Sequence, residues 1–238
     1  MTADCRLQAV RQSAFSDGYA LLCYLLQSPT QHMLDELDQA SPGADMLAIA
    51  QEIGAHDERV TQACACFDQV SEEIRAGKVS LTDFRAEYTR LFRHPKHPAL
   101  YPYEALFLDA QRVSQGQTST HPVLFVNAEA TDAKAAYKAA GFAFETYKLP
   151  ADHITIELEF MAKAHFVVAE QLVSADADAA YDAPDAEQLA GAACADEAAQ
   201  PACDDERLAR AQAALKAFRS QHVANWMPAF FDALANET

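Results

Sequence analysis

Apolar residues recur along this chain every three or four positions, the spacing that gathers them on one face of a helix. Phe15, Tyr19, Leu22 and Leu26 keep that spacing until Ser28-Pro29 ends the run. Ser28, Pro29 and Gln31 carry the pattern of a helix start, with Ser28 as cap, and Ser41-Pro42 repeats the device. A longer helix is predicted from Asp57, presenting Val60, Cys64, Phe67, Val70 and Ile74 on one face and stopped by Gly77. Ser80 and Asp83 open another, with Phe84, Tyr88 and Leu91 on a shared face. The Pro- and His-containing stretch from Arg93 to Pro102 reads as an extended loop.

Helical character resumes near Tyr103 and fades at Gly116, and Thr131 to Ala140 forms a short helix ended by Gly141. After a second irregular stretch, Asp152 is expected to cap a long helix running to about Val173. The last segment is amphipathic, with Leu208, Leu215, Phe218, His222, Trp226 and Phe230. No alternating strand pattern persists. The predicted fold is all-α, one compact helical domain of about ten helices.

Composition supports this reading: the chain is rich in Ala and holds only 7 Gly in 238 residues. The formal charge of −17 disfavours nucleic acid and anionic membranes as partners and suits a basic one. About ten of the acids, with no Lys or Arg, fall between Ser174 and Glu206. That stretch is mostly Ala and Asp and lacks the bulky apolar residues that offset the entropy of ordering. The chain therefore divides into a helical core over 1–173, an acidic flexible insertion over 174–205 and a C-terminal helix over 206–238 that packs back on the core.

The N-terminus shows no targeting signal, and the longest apolar run, Tyr19 to Leu26, is too short to span a bilayer, so a cytoplasmic protein with reduced cysteines is expected.

Few residues carry the spacing of a reaction centre. Cys64 and Cys66 lie two apart on a helix and point to different faces. His94 and His97 flank Pro and Lys on a loop, and Cys194 and Cys203 lack His neighbours. There is neither a phosphate-binding Gly-rich loop with Lys-Ser/Thr nor a nucleophile motif. No metal and no cofactor is expected, and the chain is expected not to be an enzyme.

The richest stretch is Leu149 to Met161, LPADHITIELEFM. Pro150 breaks the incoming loop, Asp152 can accept amide hydrogens, and His153 sits in the first turn, where a helix dipole disfavours its cationic form. Its Asp152, His153, Glu157, Leu158, Phe160 and Met161 resemble the signature of the TorD/DmsD/NarJ family, maturation chaperones of molybdenum-containing redox enzymes. Tyr88, Leu91 and Phe92 resemble the family's Tyr-x-x-Leu-Phe helix end. Pro102-Tyr103-Glu104 is similar to its Pro-Pro-Tyr-Glu element, with Tyr101 in place of the first Pro. Tyr137 to Gly141 resembles its Tyr-x-x-x-Gly turn, and Phe218, His222, Trp226 and Phe230 its closing helix.

The resemblance implies a chaperone that binds the twin-arginine signal peptide of a molybdoenzyme precursor and assists cofactor insertion before export. It implies a monomer or helix-exchanged dimer, and some relatives bind guanine nucleotide weakly. Asp152 and Glu104 are the candidates to pair with the peptide's arginines, and Tyr88, Leu91, Phe92, Tyr103 and His153 the candidates for the groove wall. Two alternatives stay open: a nucleotide-binding enzyme using Asp152, His153 and Glu157, whose acids would hold a metal or serve as base, and a structural subunit of a redox complex.

Overall fold

A computed structural model of the chain describes residues 3–39, 42–95, 98–143, 149–181 and 204–237. Its helices are α1 (Ala3–Leu25), α2 (Gln31–Gln39), α3 (Pro42–Ile53), α4 (Glu58–Arg75), α5 (Leu81–Tyr88), α6 (Glu104–Ser114), α7 (Ala128–Ala139), α8 (Ile154–Tyr181), α9 (Asp204–Phe218) and α10 (Ala224–Ala235). π-helical segments, Thr89–Arg93 and Arg219–Val223, follow α5 and join α9 to α10. The described residues contain no strand, only the isolated bridges Tyr103–His153 and Val123–Val126, so the fold is all-α. None of the described helices is long and apolar enough to cross a membrane.

Local chemistry sets several helix ends. The Asp57 carboxylate accepts the Arg59 amide at the start of α4, and Ser80 and Asp83 form the capping box of α5. Gly77 and Gly141 lie just beyond α4 and α7 at φ +67° and +83°, the left-handed conformation glycine adopts without a Cβ clash. At α2 the cap is Thr30, whose Oγ1 accepts the Met33 amide at 3.2 Å, rather than Ser28. At α7 the Asn127 side chain accepts the Ala130 amide at 2.7 Å, so the helix begins three residues before Thr131. Helix α8 continues past Val173 to Tyr181, in keeping with the high helix propensity of the alanines there. The rest of the acidic stretch, 182–203, lies outside the described residues, as do Lys96, His97 and 144–148.

The longest pairing is α1 along α8. Helix α9 covers another side of α8, and α3 rests against both α1 and α4. Two apolar clusters make the core. One gathers Tyr137, Phe160, Met161, Val168, Leu215 and Phe218, from α7, α8 and α9. The other gathers Phe107, Ile154, Leu158, Trp226, Met227 and Phe230, from α6, α8 and α10. Leu158, Phe160 and Met161 are fully buried, Leu158 in the second cluster and Phe160 and Met161 in the first, so α8 is the shared wall. Tyr19 and Val223 pack against both clusters and join them.

Candidate functional site

The signature residues come together where α6 and α8 begin. Their approach loops pair at the isolated Tyr103–His153 bridge: the Glu104 amide donates to the Asp152 carbonyl and the Ile154 amide to the Pro102 carbonyl, each at 2.9 Å. Extended backbone is what Pro102 imposes on Tyr101 and Pro150 on Leu149. The pairing sets two helix N-termini side by side.

Asp152 behaves differently from its expected role. Its Oδ2 accepts the Ala105 amide at 3.3 Å and the Asn127 side-chain amide at 3.4 Å, so it serves the first turn of α6 instead of capping α8. The cap of α8 is the imidazole of His153, whose Nδ1 accepts the Thr155 amide at 3.2 Å and lies 2.8 Å from the Thr155 hydroxyl. An amide always donates, so Nδ1 must be unprotonated. Burial and the nearby Arg93 lower the His153 pKa to about 4. Burial is also the main reason that the Asp152 carboxyl is pushed up to about 6.

Beneath these loops lies a buried polar cluster. Glu104, first residue of α6, bonds His222 Nδ1 at 2.7 Å through Oε2 and the Asn225 side-chain amide at 3.2 Å through Oε1. Glu157, one turn into α8, accepts the Trp226 indole hydrogen at 3.0 Å on Oε2. Glu104 is 1 % exposed and Asp152 and Glu157 are 0 % exposed. Burial raises the Glu157 carboxyl well above the usual carboxylate range, and the neighbouring Glu104 and Asp152 charges raise it further. The π segment of Arg219–Val223 lets the C-terminal rod turn His222, Asn225 and Trp226 toward this cluster.

Above the loops a cleft of about 610 Å³ opens to solvent. Tyr88, Phe92, Tyr103 and His153 line it, together with Arg93, Glu159 and the apolar Leu26, Leu149 and Ile156. The Tyr103 ring meets His153 edge-on at 4.9 Å, Tyr88 meets Phe92 at 5.2 Å, and the Arg93 guanidinium lies 5.6 Å from the Tyr88 ring centre. Four of the seven candidate residues, drawn from three distant parts of the chain, thus share one surface. Leu91 is half-buried and does not line the cleft.

Asp152 and Glu104 do not line the cleft either, because amide and imidazole donors within the fold have drawn their carboxylates inward. Glu104 instead borders a cleft of about 940 Å³ between α7 and α9, walled largely by alanines. Sequence reading missed Arg93 and Glu159 as lining residues and Asn225 as a partner of Glu104. The i, i+3, i+4 spacing of His222, Asn225 and Trp226 was a usable signal for the last.

The His153 environment has a measurable consequence. A base with a folded pKa below its unfolded value contributes stability that is intact above about 6.5 and is lost as pH falls through about 4. Denaturant unfolding should therefore show the wild type losing roughly 2 kcal/mol from this group between pH 8 and pH 5. His153→Gln should lack that part of the slope. Parallel pH profiles for the two proteins would show that His153 does not titrate in this way.

Comparison with known proteins agrees with the geometry. The model of the nitrate reductase delta subunit family matches residues 54–192, more than half the chain, spanning the α5 end, the paired loops and the start of α8. No curated protein and no solved structure matches the chain significantly. The helical fold and the assembled signature residues are those of a protein that belongs to the nitrate reductase delta subunit family, the NarJ/TorD-type maturation chaperones of molybdoenzymes.

Proposed function

We propose that this chaperone acts in the cytoplasm and binds the twin-arginine signal peptide of a molybdoenzyme precursor in the cleft above the paired loops. The observation that carries this reading is the convergence of Tyr88, Phe92, Tyr103 and His153 on one open surface. A signal peptide presents an arginine pair followed by an apolar run. Leu26, Phe92, Leu149 and Ile156 offer apolar surface for the run, and the aromatic ring of Tyr103 offers a face on which a guanidinium group stacks. Glu159 supplies a carboxylate at the cleft, exchanging its exposed partner Lys163, 2.5 Å away, for a peptide arginine at little cost. Arg93 marks the end from which the arginine pair is repelled, which fixes one orientation of the peptide. Asp152 and Glu104 act here by holding the two loops in register. The overall charge of −17 favours encounter with a basic segment.

The test is fluorescence anisotropy with labelled signal peptides from candidate molybdoenzyme precursors. Micromolar or tighter binding is expected for the client peptide. Tyr103→Ala should weaken it about tenfold, equivalent to about 1.4 kcal/mol. No binding by any such peptide would end the signal-peptide reading. Tight binding indifferent to Tyr103→Ala and Phe92→Ala would move the site away from this cleft.

A further inference from the structure

We propose that Glu104, Glu157 and His222 form a binding site for one divalent transition-metal ion, of the class that accepts mixed carboxylate and imidazole ligands, such as zinc or manganese. One ligand atom from each lies within 4.8 Å of the other two, and all three residues are buried. They come from three elements far apart in sequence, α6, α8 and the π segment before α10. An ion here would tie together the elements that build the second core cluster.

Geometry beyond the clustering supports a cation. Glu157 uses Oε2 for the Trp226 indole, while its Oε1 is buried without a hydrogen-bond partner. Asp152 Oδ1 is likewise buried and unpartnered. An unmatched buried carboxylate oxygen is costly, and the neighbour facing Glu157 is another carboxylate, Glu104, which as an ion has no hydrogen to offer. Something positive between them is required: a shared proton or a metal ion. The donor set favours the ion, since an imidazole stands beside two carboxylates. That combination suits zinc, manganese or ferrous iron better than calcium or magnesium.

Ligand atoms about 2.1 Å from such an ion lie roughly 3.4 Å apart in a tetrahedral array, so an ion would replace the 2.7 Å hydrogen bond between His222 Nδ1 and Glu104 Oε2 while the atoms now up to 4.8 Å apart draw together around it. Asn225, now bonded to Glu104 Oε1, is placed to orient that carboxylate as an outer partner. Entry is available as well. Glu104, His222 and Asn225 reach the wall of the cleft of about 940 Å³, and Glu129 and Asp132, which would draw a cation inward, also line it.

The proposal stands independently of signal-peptide binding, and its readouts involve no peptide. Metal-stripped protein with alkylated cysteines would be dialysed against zinc or manganese and its metal content measured. Cobalt(II) would then be titrated as a spectroscopic probe. Trp226 is the sole tryptophan and touches Glu157, so a paramagnetic ion in this site quenches its fluorescence directly. The expected result is one equivalent bound, with quenching and a cobalt spectrum of oxygen and nitrogen ligation. Affinity should fall roughly 100-fold or more in Glu157→Gln and in His222→Gln. Absence of a bound equivalent in the wild type, or binding without quenching of Trp226, would overturn the site and leave a proton shared by the two carboxyls. Equal affinity in the folded variants would overturn it too. The wild-type quenching decides the matter should both variants fail to fold.

Discussion

Trp226→Ala is expected to lower stability by about 3–5 kcal/mol, a large part of the 5–15 kcal/mol typical of a whole domain. The side chain is fully buried, and its ring packs against Phe107 at 5.8 Å and Phe230 at 5.4 Å. Truncation opens a cavity where α6, α8 and α10 meet, and it also removes the indole donor to Glu157. Glu157 would then hold two unmatched buried oxygens instead of one. Trp226→Phe separates the two effects, since it refills much of the volume without restoring the donor. It should cost about 1–3 kcal/mol, the price of one unsatisfied buried group. Urea unfolding followed by far-ultraviolet circular dichroism gives both numbers without relying on tryptophan emission. A Trp226→Phe variant as stable as the wild type would show that the indole bond to Glu157 contributes nothing.

Phe160→Ala is expected to cost a similar 3–5 kcal/mol by a different route. Phe160 is wholly buried in the other cluster, with ring centres 4.8 Å from Tyr137, 4.6 Å from Phe218 and 5.5 Å from Phe142. Aromatic pairs at such separations add about 0.5–1.5 kcal/mol beyond area burial, so even Phe160→Leu should lose a measurable part. The consequence reaches the site. Tyr137 donates its hydroxyl hydrogen to the Ala151 carbonyl at 2.8 Å, immediately before Asp152. Loss of the ring at Phe160 should loosen Tyr137 and with it the loop that carries His153. Peptide affinity measured well below the unfolding midpoint should therefore fall along with stability. Unchanged affinity in a strongly destabilised Phe160→Ala protein would show the loop to be held without Tyr137.

The two substitutions divide the signature by what its members do. Leu158, Phe160 and Met161 are packing residues, Asp152, Glu104 and Glu157 are buried polar anchors, and His153 shares the open cleft with Tyr103. The first turns of α8 thus serve both core clusters, the polar cluster and the cleft. A motif that looks like a list of contact residues is for the most part the means of holding two loops together.

Helices and their boundaries were legible from the chain alone wherever the determinants are local. A 3.6-residue apolar period, Asp57 as cap, the Ser80–Asp83 box and glycines free to adopt positive φ act within a few residues, and the α4 and α5 starts and glycine stops follow from them. The motifs likewise located the family and the stretches that meet at the site. What the chain could not disclose is where a side chain spends its hydrogen bonds once a distant segment competes for them. Asp152 beside α8 reads as its cap, yet the Ala105 amide lies 47 residues away in sequence and takes the carboxylate, leaving the cap to His153. Glu104 reads as an exposed partner for arginine, but His222, 118 residues distant, draws it under the surface. Local sequence determined the helices because a helix satisfies its backbone within itself. Only the tertiary structure decided which carboxylates stay open to a ligand, because in the interior each buried acid goes to whichever donor the packing brings nearest.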